Sequence, residues 1–184
     1  MADNASFFLD TREPFVAIPP AVVTLAATAK ALYTTSQFPV LGPQYFARVG
    51  KKICIKLFGI ITTVLTPGNG NVAIYYGTGA DANGVLLASS AAAALTASQT
   101  NVTWIAEITI ECITIGNIGT LRATGYIKFN EAVQVAMQMI PATVGAPSGA
   151  CDLNAANIIS VQYLRSGSTA ETMQVLSMSV VAMN

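Results

Sequence analysis

Two glutamates in the middle of the chain, Glu107 and Glu111, are candidates by residue type for the carboxylate pair that hydrolyses a glycosidic bond. Glycoside hydrolases hold two carboxyl groups roughly 5–10 Å apart across a cleft. Residues four apart on an extended strand are separated by about 13 Å. The spacing therefore favours an exposed strand face over a catalytic pair, and we predict that the chain is not an enzyme.

Histidine is absent from the sequence, and the three cysteines are widely separated. Cys54, Cys112 and Cys151 form no CxxC pattern and no spacing typical of metal ligands. Without histidine the chain lacks Ser-His-Asp and Cys-His nucleophile systems and the side chain best suited to proton transfer near neutral pH. We therefore expect no catalytic residue, no metal site and no cofactor. Cys54 and Cys112 are interpreted as small core residues, whereas the exposure of Cys151 is open.

A glycine-rich stretch over residues 77–84 invites comparison with loops that hold phosphate or calcium. It lacks the Lys-Ser/Thr ending of a phosphate-binding loop, and no helix clearly follows it. Its polar positions do not fit a calcium-binding loop. Because Gly, Asp and Asn accept positive φ angles, a plain hairpin or corner is favoured.

Aromatic and basic side chains offer two further candidate sites. One set could form a sugar-stacking platform: Tyr75, Tyr76, Trp104 and Tyr126. Aromatic residues favour strands in any case, so packing within the sheets is the preferred interpretation. The basic set is Lys51, Lys52 and Lys56. It lacks interleaved aromatic residues and is interpreted as a solvated face or a set of salt-bridge partners.

Two long alternating segments predict the architecture. Over residues 102–112 apolar side chains alternate with Thr and Glu, with Ile105 as an exception on the polar side, and the alternation resumes over 121–129. A tight turn over 116–119 joins them. About eight strands with turn signals follow residue 50, and no helices alternate with them. The pattern predicts an all-β fold, a two-sheet antiparallel sandwich with jelly-roll topology preferred.

Residues 1–49 differ in composition and are expected to form an N-terminal arm. Five of the eight prolines fall here, and proline cannot donate to a strand ladder. Apolar spacing predicts a short helix over 21–33 within an otherwise extended arm. The sandwich domain is expected over 50–184 and should fold without residues 1–35. Six apolar residues of the arm are candidates for contact with a shell or a neighbouring protomer: Phe7, Phe8, Leu9, Phe15, Val16 and Ile18.

Charge is scarce along the chain. Nine basic residues balance nine acidic ones, and charged residues make up 10% of the sequence, against about 25% in an average soluble domain. We infer that much of the surface is buried against other chains, with a monomer covered by Ser, Thr, Asn and Gln as the alternative. The balanced charge predicts no binding of nucleic acid or an anionic membrane, and no apolar run is long enough to predict a membrane span.

Several turns and strand edges resemble those of small jelly-roll structural proteins of tailed bacteriophages. The stretches that carry the resemblance are residues 36–42, 49–52, 75–84, 97–104 and 166–172. The resemblance implies a capsid cement or decoration protein that binds and stabilises the assembled head as a trimer. It further implies the major capsid protein as partner and a final place on the capsid exterior. The first residues carry Asp3 and Asp10 and no early Lys or Arg, unlike the front of a signal peptide, so we expect synthesis in the host cytoplasm. A tail-associated receptor-binding or carbohydrate-binding β-sandwich module is the alternative.

Overall fold

The computed structural model describes residues 15–17, 22–25, 29–33, 37, 40–78, 84–130, 135–166 and 171–183. Within these ranges the chain forms strands and no helix, so no described segment is a helix that could span a membrane. The strands are β1 (Phe15–Ala17), β2 (Val23–Thr24), β3 (Lys30–Ala31), β4 (Lys52–Thr62), β5 (Asn69–Gly77), β6 (Val85–Ser89), β7 (Ala93–Ala94), β8 (Val102–Thr114), β9 (Thr120–Asn130), β10 (Val135–Ile140), β11 (Ile158–Arg165) and β12 (Thr172–Met183).

The strands form two antiparallel sheets that pack face to face. The seven-stranded sheet has the order β1-β12-β4-β8-β9-β10, and β2 also pairs with β12. The five-stranded sheet has the order β3-β11-β5-β6, and β7 also pairs with β5. The predicted two-sheet antiparallel sandwich is therefore confirmed. The consecutive pairing of β8, β9 and β10 is a meander, and the strand order does not confirm the jelly-roll connectivity.

The alternation in β8 and β9 gives each strand one buried side and one more exposed side, as the sequence predicts. In β8 the side chains of Trp104, Ala106, Ile108 and Ile110 are buried. In β9 the buried side chains are those of Leu121, Ala123, Ile127 and Phe129. Successive side chains of a strand point to opposite faces, so each apolar set falls on the side that meets the second sheet. The resulting core removes the apolar side chains of both sheets from water, which is the main stabilising contribution to the fold.

Two close contacts, one between the sheets and one within the seven-stranded sheet, shape the core. The rings of Phe129 in β9 and Tyr163 in β11 meet edge to face, with centroids 6.2 Å apart. Gly59 of β4 leaves room for the indole of Trp104, because a Cβ at this position would lie 2.6 Å from the ring. A large side chain therefore faces a small one at this position, which lets the core reach close packing.

Gln138 connects the two sheets near one edge of the sandwich. Its side chain is 5% exposed and points inward from β10. The Nε2 group donates to the carbonyl of Gly70 in β5 at 3.1 Å, and the Ser90 hydroxyl donates to Oε1 at 2.9 Å. This buried polar group is therefore satisfied on both its donor and its acceptor side.

The short helix expected over residues 21–33 is wrong for the described part of that range. Residues 23–24 form β2, which pairs with β12, and residues 30–31 form β3, which pairs with β11. Leu25 and Leu32 are buried in the core. Pairing at the two sheet edges satisfies backbone donors and acceptors, and it also places both leucines in the core. These two contributions outweigh the weak preference for a helix that the apolar spacing indicates. The described segments before residue 50 therefore contribute to the sandwich rather than lying apart from it.

Candidate binding face of the large sheet

The face of the seven-stranded sheet that points away from the second sheet is here called the outer face. One row across it follows from the strand registers: Phe58 lies opposite Ile105, Ile105 opposite Lys128, and Lys128 opposite Met137. Phe58 and Ile105 are 40% and 41% exposed. The centre of the face is therefore apolar and open to solvent.

The next row of the outer face combines charged, aromatic and apolar side chains. Lys56 lies opposite Glu107, Glu107 opposite Tyr126, and Tyr126 opposite Met139. The ammonium of Lys56 is 3.6 Å from the Glu107 carboxylate. An exposed pair of this kind adds roughly 0–1 kcal/mol to stability, but it cancels the local charge.

A shallow depression of about 250 Å³ lies between these two rows. Its lining includes Lys56, Phe58, Ile105, Glu107, Tyr126 and two serines of β12, Ser177 and Ser179. Two aromatic side chains, a paired carboxylate and two hydroxyl groups can together hold a flat apolar group and hydrogen-bond its polar edge. These groups make the depression the candidate binding site of the outer face.

The predicted carboxylate candidates occupy the outer face, as their alternation indicates. Glu107 pairs with Lys56, and Glu111 pairs with Lys52 at 3.6 Å. Both carboxylates are therefore engaged by lysines on the neighbouring strand. Lys51 does not share this face: it is 7% exposed, and its ammonium lies over the ring of Tyr45, 4.4 Å from the centroid.

The four aromatic residues proposed as a sugar platform do not come together. Trp104 and Tyr76 are core residues, 1% and 3% exposed. Tyr75 lies opposite Leu86 in the five-stranded sheet, whereas Tyr126 belongs to the seven-stranded sheet. Tyr126 instead borders the depression with Phe58. The alternation in β4 could have predicted that Phe58 lies on the outer face, because Phe58 is in phase with Lys56 and out of phase with the buried Leu57.

The three cysteines are free and buried, including Cys151, which is 1% exposed. Burial raises the pKa of each thiol above its ordinary value, and at Cys54 the carboxylate of Glu107 acts in the same direction. A raised pKa keeps a thiol protonated and unreactive near neutral pH. The expectation of a core residue is confirmed for Cys112, and Cys151 also belongs to the core. Cys54 is buried too, but on the outer side of its strand, in phase with Lys56 and with its Sγ 4.0 Å from the Glu107 carboxylate.

The glycine-rich stretch over 77–84 connects two paired strands. Residues 79–83 lie outside the described ranges, but β5 and β6 on either side pair antiparallel, with Tyr76 opposite Val85. Gly84 has a φ of 125°, and a Cβ there would meet the Tyr76 carbonyl. The antiparallel pairing of β5 with β6 and the positive φ of Gly84 are consistent with the predicted hairpin or corner. Across the described parts of the chain, no group of three or more Cys, Asp or Glu residues could hold a metal ion.

The arm candidates are only partly described. Phe15 and Val16 belong to β1, which pairs with Val180 and Ser179 of β12 in the same chain. The other four candidates lie outside the described residues: Phe7, Phe8, Leu9 and Ile18. The described part of the arm thus lies against its own sandwich.

Comparison with known proteins gives no family. No protein-family model matches the chain, and no curated protein matches its sequence. Among solved structures it is similar to the lectin UEA-II complexed with galactose, at 9% identity and a TM-score of 0.43 over 94% of this chain and 99% of that one. It is also similar to the carbohydrate recognition domain of Emp47p, at 10% identity and a TM-score of 0.39 over 96% of this chain and 93% of that one. Likenesses at these scores carry no argument about what this chain binds.

Proposed function

We propose that this chain is a non-catalytic structural protein of a phage virion, a cement protein that binds the assembled head and stabilises it. The observation that carries the proposal is the outer face, where Phe58 and Ile105 are exposed next to the row in which Lys56 pairs with Glu107. The resemblance to phage jelly-roll proteins and the low charge content support the same role. The major capsid protein is the proposed partner, and the exterior of the shell is the proposed location.

The physical basis of cementing is preferential binding. A protein that binds the assembled shell and not its separated subunits stabilises the shell by its own binding free energy. Burying an apolar patch contributes roughly 25 cal/mol per Å² of apolar surface. A homo-oligomer, with three copies proposed, binds through several such footprints at high effective concentration, so individually weak contacts suffice.

Capsid binding by an outer-face variant tests the proposal. Phe58→Thr with Ile105→Thr removes the apolar centre of the face while keeping residues that suit a strand. Purified shells lacking the protein are mixed with the wild type or the variant, washed and heated, and bound protein and released DNA are measured. We expect at least tenfold weaker retention and release of DNA at a lower temperature. The control is Leu65→Thr, which changes a 78% exposed residue outside the outer face. Equal retention of the Phe58/Ile105 variant and the control contradicts the proposal.

The depression on the outer face supports a second candidate function, a tail-associated module that binds carbohydrate. Phe58 and Tyr126 flank polar groups from Glu107, Ser177 and Ser179. A sugar ring can stack its C–H face on an aromatic side chain while its hydroxyl groups bond to the rim. A glycan array distinguishes the two candidates. Binding of one glycan class that is lost in Tyr126→Thr supports the carbohydrate module, and a blank array together with shell binding supports the cement protein.

A further inference from the structure

Strand β10 is the last strand of the seven-stranded sheet on the side opposite β1. It pairs with β9 in an unbroken register, from Val135 opposite Asn130 to Ile140 opposite Gly125. Among the described strands none pairs with its other edge. A strand edge of this kind presents backbone donors and acceptors to which a strand from another chain can be added.

The edge lacks the features that usually prevent such pairing. Soluble proteins protect edge strands with lysine, proline or a bulge. The six residues of β10 read VAMQMI and contain neither a charge nor a proline, and their pairing with β9 shows no register shift. Met137 and Met139 point to the outer face and are 58% and 56% exposed. The edge is therefore flat, apolar and open.

The sequence of β10 is nearly symmetric about its fourth residue, Gln138, and symmetry of this kind suits pairing of the strand with itself. In an antiparallel pair centred on Gln138, Met137 of one copy lies opposite Met139 of the other, and Ala136 lies opposite Ile140. We propose that β10 binds β10 of a second copy of this chain, which joins two seven-stranded sheets edge to edge about a twofold axis. The same surface on both subunits then forms the contact, as in most two-copy assemblies.

The side chains around β10 favour a second copy as the occupant. The outer row that runs from Ile105 through Lys128 to Met137 would continue into Met139 of the second copy and then its Tyr126. Directly opposite side chains in antiparallel strands have Cβ atoms about 4.5–5.5 Å apart, so the four methionines would cover one another from water. No like charges face each other across the joint. The contact is independent of the proposed function, because it involves only copies of this chain.

Light scattering on the full chain tests this pairing. Met137→Lys with Met139→Lys places four positive charges at the joint, where directly opposite like charges destabilise pairing. We expect the wild type to have twice the mass of this variant at equal concentration. The control is Leu65→Lys with Val144→Lys, at two residues that are 78% and 92% exposed and lie outside β10. The control keeps the wild-type mass. Equal masses for the wild type and the methionine variant overturn the proposal.

Cross-linking tests the register without relying on the lysine variant. Met137→Cys and Met139→Cys are prepared separately and then mixed under mild oxidation. In the proposed register a cysteine at position 137 of one copy lies directly opposite a cysteine at position 139 of the other. Two cysteines at the same position, one in each copy, have Cα atoms farther apart than the roughly 7 Å that a disulfide can span. We expect a covalent two-copy species in the mixture and in neither sample alone. The native cysteines are buried and supply no competing link. A mixture that yields no covalent pair overturns the proposal.

Discussion

The guanidinium of Arg165 and the carboxylate of Glu171 form an ion pair in the interior of the protein. Nε of Arg165 is 2.7 Å from Oε2 of Glu171, and Nη1 donates to the same oxygen at 2.8 Å. Both side chains are fully buried. Arg165 ends β11 and Glu171 precedes β12, so the pair joins the five-stranded sheet to the seven-stranded sheet.

Replacing the arginine with a neutral side chain should destabilise the fold strongly. Arg165→Met leaves the Glu171 carboxylate without its cation, and breaking a buried pair in this way costs about 3–5 kcal/mol. Urea unfolding followed by the fluorescence of Trp104 measures the change. The control is the double variant Arg165→Met with Glu171→Leu, which buries no charge and should lose much less stability. A double variant as unstable as the single one would contradict this account of the pair.

The loss in Arg165→Met should depend on pH. Burial raises the pKa of Glu171, and the nearby Arg165 guanidinium opposes the shift. The folded protein therefore holds this proton more tightly than the unfolded chain does. The resulting stability is fully present below the ordinary pKa of 4.5 and is lost as the pH rises through the raised pKa. Without Arg165 that pKa rises further, so the deficit of the variant should grow between about pH 4 and about pH 7. A deficit that stays constant across this range would count against the prediction.

Tyr33 takes the place of a strand partner at the edge of β11. Its hydroxyl donates to the Ile159 carbonyl at 2.8 Å and accepts from the Val161 amide at 3.1 Å. Tyr33→Phe leaves two buried backbone groups without these bonds, and each such group costs about 1–3 kcal/mol. We expect a lower melting temperature and faster amide exchange at Val161, measured by NMR. Tyr126→Phe, on the outer face, serves as the control, and a Tyr33 variant as stable as this control would contradict the assignment.

Gly59 should tolerate no side chain, because the Trp104 indole occupies the space beside it. Gly59→Ala puts a Cβ 2.6 Å from the ring and against the Gln174 backbone carbonyl. Overpacking of a core typically costs about 1–3 kcal/mol. Trp104 is the single tryptophan, so a shift of its emission would report the displaced ring. The control is Gly42→Ala, where a Cβ meets nothing within 4 Å. An unshifted emission spectrum with unchanged stability would show that the prediction fails.

Two N-terminal truncations should differ sharply. Removing residues 1–14 leaves every described core residue in place. Removing residues 1–35 also removes Leu25, Leu32 and Tyr33, which are 0%, 1% and 3% exposed, and each large buried side chain contributes roughly 1.5–3 kcal/mol. The expectation that the sandwich folds without residues 1–35 is therefore revised. Thermal melts should show little change for the shorter truncation and unfolding or aggregation for the longer one. Equal melting temperatures would contradict this.

The sequence predicted what depends on local alternation and missed what depends on distant partners. The buried and exposed sides of β8 follow from its two-residue period, and Ile105 stood out as an apolar residue on the polar side before it proved to lie at the centre of the outer face. Residues 21–33 carry a helical spacing, yet their backbone pairs with β11 and β12, more than a hundred residues away. No local pattern contains that information. The ion pair of Arg165 and Glu171 was missed because nothing in a sequence marks a charge as buried.

The side-chain hydrogen bonds of Gln138 attach β10 to the five-stranded sheet, and this attachment has a mechanical consequence. A partner that pulls on β10 pulls through the glutamine amide on Gly70 and Ser90 of the opposite sheet as well as on the ladder to β9. Force applied to β10 is therefore borne by both sheets, and not by the backbone hydrogen bonds to β9 alone. Such an anchor suits a subunit that must resist tension from its neighbours.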